Sequence, residues 1–402
     1  MPTYNPITDN VGAPWPLLAQ DRSKCPYHEI ADGMYEALTY EGITDIYRNH
    51  QVWSSKLGVD VAGEKQEGQQ ILSFADPPEH TRQRRLFVKS LSPARMDAMV
   101  PRIQQVMDDI IDRIDADGGT FDLFKKVADI LPAQLIHDLL GIQEESRSGL
   151  QRWTEIEFAA ATAFDQEPFK RDIEEYLEFL TNLVRERKAD PEEHDDLISL
   201  LVSAEIDKEV LLETEVVSIL KFLLSAGADT TKGAVTNAIF ALETHPEEKA
   251  RYLADIDGLV DTFVEEGLRF DGPVKGLLRT AKADTALGDI PATEGTQVFM
   301  CFAAGNHDPA VYDNPDVFSL ERDYGETVPH LSFGTGVHHC LGMNLARHEL
   351  RVMLATLYKR LPNLRLVDGF TPQPIPVLMW RQWDSMEMVY DGPVGPRLSP
   401  AH

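Results

Sequence analysis

The sequence predicts a mainly α protein with a minor β portion, folded as one large domain. Three observations carry this reading. The stretch from Glu213 to Thr244 has apolar side chains almost all round: Val216, Val217, Ile219, Leu220, Phe222, Leu223 and Leu224. That is the pattern of a helix enclosed by its domain. Roughly 30 residues at 1.5 Å rise would reach about 45 Å, the width of a domain. Helical apolar spacing recurs over Ala94–Ile114, Asp172–Lys188 and Leu341–Leu361. Strand signals are few and late: Thr285–Ile290, Thr296–Phe302 and Pro374–Met379 are short and bounded by Gly, Pro or Asp. No repeat, low-complexity run or linker divides the chain, so 1–402 reads as a single domain.

The elements follow from local signals. Pro2, Pro6, Pro14 and Pro16 with no basic cluster before an apolar run make residues 1–20 an extended arm, not a secretory signal. Ser92-Pro93 supplies an N-cap and a first-turn proline. Pro191 and the acidic run Glu192–Asp196 mark a loop before Leu197–Val202. His245-Pro246 ends the long helix, and Pro246, Glu247 and Glu248 open the next.

Composition narrows the function classes. Apolar residues are 43% and charged residues 26%, so an ample core forms. The net charge of −28 argues against binding nucleic acid or an anionic membrane. No run of about 18 apolar residues spans a bilayer. Cys25, Cys301 and Cys340 are odd in number and widely spaced, which predicts a reducing, cytoplasmic setting and no four-thiolate cluster.

The most informative segment is Phe333-Gly334-Thr335-Gly336-Val337-His338-His339-Cys340-Leu341-Gly342. Two glycines ahead of a cysteine permit a tight turn that aims backbone N–H groups at sulfur. Such donors, and the N-terminus of the helix that follows, favour a thiolate and tune a bound metal. Two plainer readings stand beside this. One is a buried structural cysteine. The other is zinc on His338, His339 and Cys340, which lacks a fourth ligand.

The pattern Phe-Gly-x-Gly-x-His-x-Cys-x-Gly resembles the haem-binding loop of the cytochrome P450 family. The resemblance extends from about Ala75 to Ala346. It implies that Cys340 is the thiolate ligand of haem b (iron protoporphyrin IX), with Phe333, Gly334 and Gly342 shaping its loop. It implies haem between the long distal helix and the cysteine-loop helix. His80 and Arg84, four apart on one helical face, resemble the family's His-x-x-x-Arg haem clamp, and Arg279 and His338 match two further propionate partners. Glu266 and Arg269, with Arg322, match a buried structural bridge. His307 stands where the family usually has arginine.

Inside the long helix lies Ala226-Gly227-Ala228-Asp229-Thr230-Thr231. A glycine, an acid and hydroxyls in the most apolar helix break local rules together, which points to a functional site. The plain alternative is a packing glycine beside two helix threonines. By resemblance, Ala226 borders the haem, and Asp229 and Thr230 deliver protons to the dioxygen site.

The resemblance implies a haem-thiolate monooxygenase that uses O2 and takes electrons indirectly from NAD(P)H. With no flavin or iron–sulfur module in the chain, the implied partners are a ferredoxin and its reductase. It implies a monomer acting on a small to medium apolar substrate near Phe222, Ser225, Ala226, Val274 and Leu277. Segments Ser54–Phe74 and Phe158–Phe169 are expected to roof the pocket. A peroxide-driven enzyme and a non-catalytic haem sensor or store are the rivals. Arg82, Arg85 and Lys89, with Arg347 and Arg351, are expected to form a basic patch that orients an acidic ferredoxin.

Overall fold

The computed structural model describes residues 3–6, 14–56, 71–88, 91–162, 167–206, 208–375 and 379–399. The expected N-terminal arm is partly helical: α1 spans Trp15–Lys24, with Pro16 in its first turn, where the missing N–H costs nothing. Asp21 of α1 accepts from the N–H groups of Thr3 (2.6 Å) and Tyr4 (2.9 Å), which ties down the start of the chain. Strands β1 (Tyr27–Ala31) and β2 (Met34–Ala37) form a hairpin, then α2 (Tyr40–Arg48) and β3 (Trp53–Ser54) follow. Helix α3 spans Glu79–Val88.

The helix expected over 94–114 divides into α4 (Pro93–Asp97) and α5 (Val100–Asp117). Pro101 begins the second rather than continuing the first. Ser92 caps α4 as expected, accepting from the Arg95 N–H at 3.4 Å. Strand β4 (Thr120–Asp122) and one π-type turn (Phe124–Ala128) lead to α6 (Leu131–Leu139), α7 (Glu144–Thr162), α8 (Lys170–Ala189) and α9 (Leu197–Ser203). A small hairpin, β5 (Glu205–Ile206) and β6 (Glu209–Val210), precedes α10 (Glu213–Glu243). Helices α11 (Pro246–Ala254) and α12 (Ile256–Phe270) follow.

Strands β7 (Gly276–Ala281), β8 (Thr285–Leu287), β9 (Ile290–Ala292) and β10 (Gln297–Cys301) come next, then the short α13 (Phe302–Gly305). After the cysteine loop come α14 (Met343–Arg360), β11 (Arg365–Leu366) and β12 (Glu387–Val389). The largest sheet has the order β1-β2-β10-β7-β3, with only β2 and β10 parallel. The strand expected at 374–379 is reduced to isolated pairings, Pro374 with Trp383 and Val274 with Trp380. Residues 376–378 lie outside the described set.

Helix α10 crosses the molecule and packs against α6, α8, α12 and α14. Its two ends are enclosed, as the all-round apolar pattern predicts: Val216, Ile219 and Leu220 in the first half, Val235, Ile239 and Leu242 in the second. Between them, Phe222, Leu223 and Ser225 to Thr230 keep partial exposure at the centre of the domain. An accessible strip on the innermost helix is a cavity wall.

Glu266 and Arg269 on α12 are both fully buried and share two 2.8 Å contacts. Arg322 adds a contact at 3.2 Å, and the Ser319 N–H donates at 2.9 Å. Arg269 donates onward to the carbonyls of Asn306 (2.9 Å), Pro315 (2.7 Å) and Val317 (3.1 Å). These guanidinium bonds fasten the 306–322 loops to α12. His307, the departure from the family pattern, bonds Asp316 and the Phe270 carbonyl, both at 2.8 Å, and stacks on Trp15 at 4.5 Å.

Two stability measurements follow. Removing one partner of the buried pair, by Glu266→Ala or Arg269→Ala, leaves an uncompensated charge and should cost about 3–5 kcal/mol in urea unfolding. A loss below 1 kcal/mol would show that the pair does not brace the loops. Glu36 on β2 is fully buried with both carboxyl oxygens unbonded, and burial pushes it up to about 8. Its folded state therefore keeps a proton that the unfolded chain releases near 4.5, so stability falls as pH rises from about 4.5 to 8. Glu36→Gln should flatten that fall, and an unchanged pH–stability curve would place the titration elsewhere.

Candidate haem-thiolate site

The cysteine loop takes the shape its glycines permit. Gly334 and Gly336 have φ of 66° and 64°, the left-handed region. A Cβ at Gly334 would lie 2.5 Å from the Tyr47 hydroxyl, so any side chain there collides with α2. The Cys340 N–H donates to the Phe333 carbonyl at 2.9 Å, closing the loop. Cys340 lies deep in the protein mass yet keeps accessible surface, the combination found on a cavity wall. The N–H groups of Gly342 and Met343, at the start of α14, donate to its sulfur. They pull the thiol pKa down, as do the nearby Arg84 and Arg347 charges, but burial outweighs them and pushes it up. The donors are therefore placed for a thiolate whose ionisation needs a further cation, as ligation supplies.

Phe333 lies beneath the Arg347 guanidinium at 4.6 Å. Arg347 makes a two-pronged bridge to Glu265, at 2.6 and 2.9 Å, and His330 approaches the same carboxylate at 3.3 Å. These bonds hold Glu265 down at about 2 despite its burial. Arg351 meets Asp261 at 3.4 Å, and Arg82 binds Glu79 at 2.5 Å and also Glu215. Three cations of the expected basic patch are thus paired with carboxylates: Arg82 with Glu79 and Glu215, Arg347 with Glu265 and Arg351 with Asp261. Arg85 is exposed and has a partner of its own, and Lys89 lies outside the described residues.

His80, Arg84, Arg279 and His338 come together as expected. The His80 and His338 rings are 4.2 Å apart, and Arg84 and Arg279 act electrostatically on both. Burial, helped by those cations, drives His80 down to about 4 and His338 to about 2, so both rings are neutral hydrogen-bonding groups. Arg279 is 2% exposed, donates to the Leu278 carbonyl at 2.8 Å and lies 4.7 Å over the Tyr47 ring. Among the described residues no carboxylate pairs with Arg84 or Arg279, and His80 Nδ1 is buried without a partner. A buried guanidinium, Arg279, and a half-buried one, Arg84, that have no carboxylate beside them among the described residues favour an anion there. The two propionates of haem meet that need, and the donor set therefore fits the group.

Ser54 and Ser55 were expected in the pocket roof and are not there. Ser54 pairs with Thr280 of β7 and donates to Asp76 at 2.7 Å. The Ser55 N–H binds Asp76 at 3.0 Å, and its hydroxyl meets His338 Nε2 at 3.1 Å. Together with Tyr47, Ser55 is a site residue that the sequence reading missed, since neither carries a motif. Of the rest of the expected roof, 57–70 and 163–166 fall outside the described residues, while Leu72–Phe74 form a short turn whose Phe74 meets Phe222 of α10, and 158–162 end α7.

On α10, the Thr230 hydroxyl donates to the Ala226 carbonyl at 2.7 Å and the Thr231 hydroxyl to Gly227 at 3.3 Å. Gly227 has the plain role: a Cβ there would lie 2.6 Å from Ile136 Cδ1, so it permits α6 to approach. Phe222 meets Phe74 edge-on at 6.1 Å, and the Ser225 hydroxyl donates back to the Phe222 carbonyl at 3.4 Å. Val274 and Leu277 are partly buried and pack on the smaller core around β7 and β10. Asp229 is raised by burial against the opposing pull of Lys232, 3.2 Å away. Glu349 of α14 is fully enclosed near Thr231, and burial pushes its carboxyl up to about 8. Among the described residues no group of three or more His, Cys, Asp and Glu has metal-binding geometry, which removes the zinc reading. No helix of the described residues is long and apolar enough to cross a membrane.

Comparison with known proteins agrees with this geometry. Residues 38–362 match the family model for Cytochrome P450. The chain is 30% identical over 360 residues to a steroid C26-monooxygenase of Mycolicibacterium smegmatis, covering 89% of this chain and 86% of that one. It is 31% identical over 366 residues to a vitamin D(3) 25-hydroxylase of Pseudonocardia autotrophica, covering 89% and 88%. Among solved structures it is similar to the cytochrome P450 PksS of the Bacillus subtilis bacillaene polyketide synthase. There the TM-score is 0.87 at 26% identity, covering 97% of this chain and all of the other. With a family match over residues 38–362 and relatives of 30% identity across most of both chains, this protein, which carries the glycine-framed cysteine and the acid–alcohol turn of α10 in one fold, belongs to the cytochrome P450 family of monooxygenases.

Proposed function

We propose that the protein hydroxylates a small to medium apolar organic molecule, with Cys340 as the haem ligand and separate redox proteins as the electron source. The observation that carries the reading is the buried guanidinium of Arg279 on β7 and the half-buried one of Arg84 on α3, with which no carboxylate pairs among the described residues, gathered with His80 around His338, two residues before Cys340. When bound, haem supplies dioxygen activation, with one oxygen atom entering the substrate and the other leaving as water. Arg84, Arg279, His80 and His338 bind and orient its two carboxylates, and Ser55 fixes the His338 ring. The N–H groups of Gly342 and Met343, with the Arg84 and Arg347 charges, oppose the effect of burial on the Cys340 thiol, and ligation would complete its ionisation.

Thr230 and Asp229 manage protons. The Thr230 hydroxyl rests on the Ala226 carbonyl, so it turns its single O–H away from that carbonyl to give a proton to the dioxygen site and takes the replacement at a lone pair. Asp229 holds its proton to higher pH than an exposed carboxyl and restores the one Thr230 gives up. Phe222, Ala226, Val274 and Leu277 present apolar surface that excludes water and favours an apolar substrate. Electrons would arrive from a ferredoxin and its NAD(P)H-dependent reductase, because this chain carries one redox site. The steroid and vitamin D relatives make apolar polycyclic alcohols the first compounds to screen for a haem spin-state shift.

The reduced protein with carbon monoxide should show the absorption band of thiolate-ligated haem. Cys340→Ala should abolish it, and Cys25→Ala and Cys301→Ala should keep it. Arg279→Met should weaken haem retention at least about tenfold, or roughly 1.4 kcal/mol, and retention equal to the parent would remove the propionate role. Thr230→Ala should still oxidise NAD(P)H but release hydrogen peroxide in place of product. The lost hydrogen bond is worth about 1–3 kcal/mol. Unchanged product per NAD(P)H would take Thr230 out of proton delivery.

A further inference from the structure

The Asp229 carboxylate makes no hydrogen bond to the Thr230 hydroxyl, which is committed to Ala226. Instead Asp229 Oδ1 lies 3.2 Å from Lys232 Nζ, one turn onward on α10. The same ammonium lies 2.6 Å from Asp129 Oδ1, just past the π-type turn, and 5.3 Å from the Phe124 ring centre. Asp129 reaches the surface, where it accepts from Gln151 Nε2 at 3.2 Å. The backbone beneath the acid is fixed from another side, since Gln382 Nε2 donates to the Asp229 carbonyl at 2.6 Å. From α7, Glu157 faces the same region, held by Lys221 at 2.9 Å and acted on by the Asp229 charge. One lysine is therefore shared between an inner and an outer carboxylate, with a second Glu–Lys pair alongside.

We infer that Lys232 is a positioning residue for proton delivery. Shared between Asp129 and Asp229, it holds the Asp229 carboxylate on the Asp129 side and sets how readily that acid takes up and releases its proton. The inference rests on the reading of Asp229 and Thr230 given above. Lys232 itself does not carry the proton: its two carboxylates outweigh burial and raise its own pKa, so the ammonium stays charged. It acts by charge and by place. Burial and the Asp129 charge push Asp229 up, and Lys232 pulls it down. Removing the lysine and removing the outer acid must then move Asp229 in opposite directions. Loss of packing alone does not produce that opposition.

The test uses the haem-loaded protein and the variants Lys232→Met, Lys232→Arg, Asp129→Asn and Asp229→Asn. The first readout needs no turnover: the isotope-edited infrared band of the protonated Asp229 carboxyl, assigned by its loss in Asp229→Asn and titrated in the resting protein. Lys232→Met should raise the midpoint by about one unit or more, Asp129→Asn should lower it, and Lys232→Arg should restore the parent value. The second readout is product per NAD(P)H against pH, whose high-pH limb should move in the same directions. Lys232→Arg and Asp129→Asn, which keep the local volume, preserve the test if Lys232→Met does not fold. Equal midpoints in all variants, or shifts of one sign in Lys232→Met and Asp129→Asn, overturn the inference. If Asp229→Asn leaves coupling unchanged, the underlying reading of Asp229 falls and this inference with it. If Asp229→Asn uncouples while Lys232→Met and Asp129→Asn match the parent, this inference alone falls.

Discussion

The Glu266–Arg269 pair is the joint from which the proximal half is hung. Two buried charges are tolerable only when their remaining hydrogen-bonding positions are filled. Here Arg322, the Ser319 N–H and three backbone carbonyls fill them. One of those carbonyls belongs to Asn306, whose side chain accepts from the Leu331 N–H at 2.7 Å and donates to the Ser332 hydroxyl at 3.1 Å. Ser332 returns to α12 through the Leu268 carbonyl at 2.6 Å. Phe333 is the next residue, and its carbonyl receives the Cys340 N–H. The position of the sulfur is thus set by a continuous series of polar bonds that begins at a pair with no chemistry of its own.

The distal half solves a different problem. Helix α10 is apolar enough to pass through the core and yet carries an acid and hydroxyls at one turn, the groups to which proton delivery is assigned in the proposed function. The two characters are separated along its length. Both ends bury aliphatic side chains, with Thr236 and Asn237 buried and hydrogen-bonded in the second half, and the middle carries the acid, the glycine and the paired threonines. Those groups are satisfied locally: hydroxyls bond carbonyls four residues back, and Asp229 has Lys232 one turn on. Gly227 is the exception, since it serves the approach of α6.

The haem-side motifs were legible because they use residue types with narrow physical uses. Glycines at positive φ, a framed cysteine, and a histidine and arginine on one helix face have few other reasons to occur together. The long helices were legible from periodicity. The main sheet was not, because its strands are two to six residues long and β2 pairs with β10 across some 260 residues of chain. The N-terminal arm was misread because Pro14 and Pro16 mark a helix start as readily as an extended segment. The pairing of the basic patch was not legible for a related reason. Helical spacing shows which cations share a face, but not that Glu215, Glu265 and Asp261 come from elsewhere to meet them. Ser55 and Gln382 gave no signal, since each acquires its role only through partners far away in sequence.

The unpaired guanidiniums of the haem cradle have a consequence for the life of the polypeptide. On the proposed reading, folding without the prosthetic group would leave Arg279 buried and Arg84 half-buried with no carboxylate partner among the described residues, so the empty fold would be the poorer one. Binding then adds its free energy directly to folding, about 4 kcal/mol when the ligand stands a thousandfold above its dissociation constant. Newly made chains would accordingly divide between maturation and proteolysis according to porphyrin and iron supply. Cellular abundance of the protein would then report the nutritional state of the cell before any transcriptional control acts.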